Sequence, residues 1–371
     1  MSLVIFIITG CDSPKDYGVA DPGVSIKRVR DIGVVPQDHR LLGRDGGYSG
    51  VHAGEVIWVF GDTVITEPNA TGQTWLSNSY STSVDRVASD GLDVLPLAGD
   101  EIDSPIELFN FTVQEASFND LHSGEDCVEP CGARWALWPG PIVADTERSR
   151  SLVMYGKISS EPGELNFYGV GQSIAIWNND EVQPTRQTVN EVPEHPTLLF
   201  GQDEPQFGPG AMAFEDSLYV FACDRQEFVK PCKLARAPLA TVLDKSSWQY
   251  FSRSQDWTES VSGISELFHG NDIMSVSFNA YLNKFMAVYS EPLSRNIQLR
   301  TANSPEGPWS TPVQVAQALP SGNTNGWVYD ALAHAEFSEL DGQIIYVTYT
   351  RDTENAIREM RLLEVELELD N

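Results

Sequence analysis

Positive charge is scarce in this chain: of 371 residues, 24 are Lys or Arg against 53 Asp or Glu, a formal net charge of −29. Only seven of the basic residues are Lys. Such an imbalance argues against a nucleic-acid backbone or an anionic membrane surface as a partner, because both carry the same sign as the protein. Other absences narrow the chemistry. No G-x-x-x-x-G-K-[ST] loop, dinucleotide fingerprint or H-E-x-x-H helix occurs, which leaves phosphotransfer, hydride-transfer and zinc-protease readings without support. No apolar run is long enough to span a bilayer as a helix. From Ile26 onward no Pro/Gly/Ser linker divides the chain, and helical periodicity is sparse.

Cysteine is also rare, and its five positions are informative by spacing. Cys127 and Cys131 bracket Val128-Glu129-Pro130, and Cys223 and Cys232 bracket eight residues. Two short-loop disulfides, Cys127–Cys131 and Cys223–Cys232, fit an exported protein. A zinc site using all four is the weaker alternative, since neither pair has C-x2-C spacing and no nearby His completes a set. The fifth, Cys11, follows the apolar run Leu3-Val4-Ile5-Phe6-Ile7-Ile8-Thr9-Gly10. This resembles a bacterial lipoprotein signal in which Cys11 becomes the lipidated first residue, although the start lacks the usual Lys or Arg. Residues 1–25 are therefore expected to be signal and tether, and residues 26–371 one domain. The implied location is the bacterial cell surface or periplasm, touching the membrane only through a lipid anchor.

What the sequence has in abundance is turns and strands: 29 Gly, 22 Pro, and 37 aromatics made up of 16 Phe, 12 Tyr and 9 Trp. A unit recurs in which a strand of small and apolar residues leads through a turn into a Tyr/Val/Phe-rich strand. It appears at 48–60, 140–157, 208–224, 274–290 and 330–350. Further strands follow at 82–87, 173–177, 232–235, 297–301 and 360–365. Repeats spaced by roughly 55 to 90 residues are too long for a solenoid and have room for four strands each. The pattern predicts an all-β fold, a five-bladed β-propeller with four-stranded antiparallel blades. Small residues on each first strand suit convergence on a central channel, and the apolar second strands suit burial between blades.

Two motifs stand out against this scaffold: Arg44-Asp45-Gly46-Gly47 before the first inner strand, and Trp58-Val59-Phe60-Gly61-Asp62-Thr63 at the end of its partner. Together with Arg300-Thr301-Ala302-Asn303-Ser304-Pro305-Glu306-Gly307-Pro308-Trp309-Ser310, they resemble the uncharacterised-domain family numbered 4185. That resemblance implies a secreted five-bladed propeller, related in fold to arabinan- and xylan-cleaving glycoside hydrolases. Some members are endo-D-arabinofuranases of glycoside hydrolase family 183. The implied substrate is a furanose-containing or other cell-wall polysaccharide or oligosaccharide, handled by a monomer.

Glycoside hydrolysis needs two carboxyl groups flanking the scissile bond. Asp45 begins one strand and Asp62 ends its antiparallel neighbour, so both belong at one mouth of the channel. They are the leading acid and base or nucleophile candidates. The alternative reading has Asp45 serving a turn and Asp62 ending a strand. Glu204 ranks third. Arg44, Asp224 and Arg225 are candidate sugar contacts, as are Trp138, Trp327, Tyr329 and Asp330, although rim aromatics also pack blades. His334, inside the fifth inner strand, could ligate a central divalent cation such as calcium; no cofactor is otherwise required. A surface propeller that binds glycan without cleaving it is the competing functional reading.

Overall fold

The computed structural model describes residues 20–163, 166–224, 229–254, 256–354 and 358–370. Cys11 and Arg225 lie outside the described residues. Five antiparallel sheets of four or more strands surround an axis, forming a five-bladed β-propeller. The innermost strands are Leu41–His52, Arg134–Asp145, Gly210–Phe214, Met274–Asn279 and Leu332–Ala333, each packing against the next in this order, and Leu41–His52 closes the ring against Ile344–Arg351 and the turn Ala335–Phe337. Their partners are Glu55–Ile65, Arg150–Ser160, Ser217–Cys223, Lys284–Ser290 and Ile344–Arg351. These second strands are buried on both faces between neighbouring blades, which is why they read as continuous apolar runs rather than alternating ones.

The interior consists of five hydrophobic clusters, one at each junction between adjacent blades. Between blades two and three, for example, Leu152, Met154 and Ile174 meet Leu218, Val220 and Ala235. Near the axis the approach is tighter still. A Cβ on Gly50 would stand 2.8 Å from both the Cβ and the carbonyl oxygen of Ile142 on the next inner strand. The small residues of the inner strands are thus a steric requirement.

Strand Val24–Val34 comes from the far end of the chain to pair antiparallel with Glu359–Leu369, running from Val24 opposite Leu369 to Val34 opposite Arg361. It supplies the outer strand of blade five. Arg28 and Arg30 both pair with Glu364, and Arg361 pairs with Asp31 at 2.9 Å.

Some expected boundaries differ. The third strand of blade one is Ser79–Ser83 rather than 82–87; it stops where the Ser83 hydroxyl accepts the Asp85 amide in a local turn. The blade-two inner strand starts at Arg134, so Trp135 and Trp138 lie within it rather than before it, carried past Pro139 by a bulge. The fifth inner strand is only Leu332–Ala333, because the chain then bends into the 3-10 turn Ala335–Phe337. One helix, Val113–Leu121, begins at a reciprocal capping box between Thr112 and Glu115.

Candidate active site

Blade one positions its two aspartates through backbone irregularity. In the hairpin ladder Arg44 pairs with Thr63 and Gly46 with Phe60, so Asp45 stands opposite Gly61 and Asp62 with neither side in register. Gly46 and Gly47 have φ of +83° and +136°, the region where a side chain is costly, and the strand kinks there. Bareness at Gly61 completes the arrangement: its missing Cβ would be 3.8 Å from the Asp45 Cβ and 3.5 Å from Trp138 Cδ1. Asp45, Asp62 and Trp138 therefore crowd around one glycine.

The two carboxyl groups have different surroundings. Burial pushes the Asp62 carboxyl up to about 6, and the nearby Asp45 charge adds to the rise. The Trp138 indole N–H, donated to Asp62 Oδ1 at 3.0 Å, and the guanidinium groups of Arg134 and Arg358 pull the other way. Asp45 faces the opening, about one-third exposed, and its carboxylate accepts Arg358 Nε. Arg358 is held in turn by Asp352, with Nη1 at 2.8 Å from both carboxylate oxygens, and its guanidinium lies 5.2 Å above the Tyr329 ring. The Tyr329 hydroxyl is buried beside Asp45, and burial, with the Asp45 charge, drives its pKa well above the usual phenol value.

Other expected residues fall elsewhere. Arg44 is not at the rim: it is 4% exposed, its guanidinium 3.5 Å over the Phe60 ring and bonded to Gln37 Oε1. The bulge at Gly46–Gly47 sends adjacent side chains to different sides, and Arg44 takes the buried one. Asp330 is sealed against Thr350, whose amide and hydroxyl it accepts, leaving no edge for a ligand. Glu204 is committed to Lys245 at 2.6 Å and to the Gly201 amide, and it shares no hydrogen bond or ion pair with Asp45 or Asp62. Asp224 pairs with Lys233 at 3.1 Å beside the Cys223–Cys232 bridge. Trp327 packs on Tyr329, with ring centroids 5.6 Å apart.

His334 is buried with both ring nitrogens engaged, Nδ1 by the Ser49 hydroxyl at 2.5 Å and Nε2 by that of Thr348 at 2.7 Å. A calcium ion takes six to eight oxygen ligands, and among the described residues no three His, Cys, Asp or Glu side chains gather. His334 therefore offers a cation no unengaged ring nitrogen, and no chemistry is routed through one. Both expected disulfides form, Cys127–Cys131 and Cys223–Cys232, as in proteins of oxidising compartments. Among the described residues no helix is long and apolar enough to cross a membrane. A hollow lined by Val51, Gly54, Ala144 and Arg150 opens at the other end of the blade-one hairpin, away from the carboxyl pair.

Residues 170–359 match the family described as Domain of unknown function (DUF4185), and the chain belongs to it. The match includes Tyr329, Asp352 and Arg358; Asp45, Asp62 and Trp138 lie before it. No curated protein matches the chain. Among solved structures the fold is shared with a protein from Bacteroides ovatus ATCC 8483, at 10% identity over 95% of this chain and 97% of that one, TM-score 0.55. It is shared also with a protein of unknown function from Dyadobacter fermentans DSM 18053, at 10% identity over 92% and 100%, TM-score 0.51. A GH43_1 enzyme from Xanthomonas citri is similar at 10% identity over 90% and 89%, TM-score 0.51. The propeller is thus of a kind used by glycoside hydrolases.

Proposed function

We propose that the chain is an exported glycoside hydrolase acting on a furanose-containing or other cell-wall polysaccharide, with Asp62 as general acid and Asp45 as base or nucleophile. The observation that carries this reading is the meeting of the two aspartates across one bulge in unequal environments. A glycosidase must keep one carboxyl protonated and the other charged at the same pH. Asp62, buried and pushed up to about 6, suits proton donation to the leaving oxygen. Asp45, partly open to solvent and paired with Arg358, suits the anionic role.

Trp138 fixes the Asp62 carboxyl so that its proton is delivered from one direction, and Gly61 leaves space between the two acids. The test is incubation with arabinans, galactans and xylans, wild type beside Asp62→Asn, followed by product analysis. Release of oligosaccharides by wild type alone supports the reading; no release from any polymer, or equal release by the variant, refutes it. A second reading, glycan binding without cleavage, draws on the ion pair that already engages Asp45. It predicts that glycan is retained equally by wild type and Asp62→Asn with no product from either.

A further inference from the structure

Cations around the channel mouth are mostly neutralised. Arg358 is paired with Asp45 and Asp352, while Lys157 and Arg186 share the Glu115 carboxylate. Arg134 differs. Among the described residues it makes no ion pair and no hydrogen bond, and its buried Nε has no acceptor. Its guanidinium carbon stands 3.3 Å over the Trp75 ring, and among the described residues the acidic group its charge interacts with is Asp62. Stacking of this kind holds the guanidinium plane and leaves its edge of N–H donors available, the geometry that matches a carboxylate or other flat oxyanion face.

The sheet register adds a neighbour. Arg134 lies directly opposite Ser160, and Ser160 directly opposite Phe167, so these three side chains leave one face of blade two in a row. Phe167 is 44% exposed, and its ring meets that of Trp138 edge-on at 5.2 Å, next to Asp62. An exposed aromatic ring and an unpaired stacked arginine thus flank the carboxyl pair on the blade-two side.

We infer that this corner is a subsite for a sugar unit bearing an anionic group, either a carboxylate or a sulfate ester. Arg134 pairs the anion and the Phe167 ring covers the apolar face of the sugar. The inference rests on the glycosidase reading for its place beside the Asp45–Asp62 pair, while binding itself requires no cleavage. The net charge of −29 opposes approach of a polyanion, but that field is screened beyond about 8 Å at physiological salt. Recognition is therefore a local property of this corner.

The test is titration calorimetry at physiological salt with three probes: an oligogalacturonide, a sulfated galactan oligosaccharide and a neutral arabino-oligosaccharide. One of the two anionic probes should bind about tenfold tighter than the neutral one, as expected for a charge-assisted pair; which one wins identifies the anion. Arg134→Gln should abolish the preference while neutral binding is unchanged, Arg134→Lys should keep part of it, and Phe167→Ala should weaken all binding. Thermal melts show which variants are folded, and Arg134→Lys carries the test if Arg134→Gln is not. Equal affinities for all probes, no binding of any, or a preference that survives Arg134→Gln overturns the inference. Product analysis on the same probes separates the two claims: an anionic preference without cleavage sinks the hydrolase reading alone, and cleavage of neutral glycan without the preference sinks the subsite alone.

Discussion

Arg358, at the entry to the last strand, donates its Nε to the carboxylate of Asp45 on the first inner strand, joining blade five to blade one at the channel mouth. The same guanidinium also holds the Asp62 carboxyl down. A general acid works while protonated, so activity should fall as pH rises through the Asp62 pKa near 6. Arg358→Gln removes a positive charge and lets that pKa climb, so the falling limb of the pH–rate profile should move to higher pH. A limb that stays put, or moves down, contradicts the assignment of Asp62 as acid.

Asp62 should also cost stability. Its folded pKa is raised above the unfolded value of 3.8, so the folded state holds its proton more tightly. Stability contributed by that proton is complete below pH 3.8 and lost as pH rises toward 6. Asp62→Asn is therefore expected to stabilise the fold at pH 7 by on the order of 1–3 kcal/mol and to give little gain near pH 3.5. Hydrolysis should meanwhile drop by roughly 10²–10⁴-fold. Urea melts at the two pH values check the first claim, and product analysis checks the second.

The two disulfides should differ in value. Cys223 and Cys232 are direct cross-strand partners in blade three and close the longer loop. Loop entropy gives about 3 kcal/mol for a ring of that length and about 2 kcal/mol for the Cys127–Cys131 ring. Replacing Cys223 and Cys232 by Ala should lower the melting temperature more than replacing Cys127 and Cys131. The reverse order in paired thermal melts would show that the entropic difference is not what these bridges contribute.

Blade five depends on strand Val24–Val34 for its outer edge. Deleting that strand exposes the hydrogen-bonding edge of Glu359–Leu369, removes Val24 from the junction with blade four and uncovers the Leu363–Leu367 side of it. The truncated chain should lose its cooperative melt and self-associate on size-exclusion chromatography. Single removal of Arg30, an exposed partner of Glu364, should leave the melt almost unmoved, because solvent screens a surface pair of this kind.

Much of this architecture was legible because the repeat carries its own signal. Five strand-turn-strand units, apolar in the second strand and small in the first, left few alternatives to a ring of blades. The Asp45–Asp62 juxtaposition was legible in outline, since antiparallel strands bring the start of one and the end of the next to one mouth, whereas the bulge that places the two side by side was not. What escaped was irregular. Arg44 alternates with Asp45 in a way that only the φ values at Gly46 and Gly47 settle. Glu204 looks like a rim acid until Lys245, in the 3-10 turn Lys245–Ser247, is seen to claim it. Arg358 and Asp352 approach Asp45 from the opposite end of the chain, and no local pattern announces a partner 313 positions away. Arg134 and Phe167 come to one face only through register across three strands, although the Thr112-Val113-Gln114-Glu115 cap of the helix could have been read directly.

Pairing of Val24–Val34 with Glu359–Leu369 has a consequence for how the molecule comes into being. Contacts of such sequence separation form slowly, and here the last strand of the propeller is the one that locks its first. Until Glu359–Leu369 has emerged, the growing chain has partners for blades one to four yet no closed ring, so closure of the toroid waits on that strand.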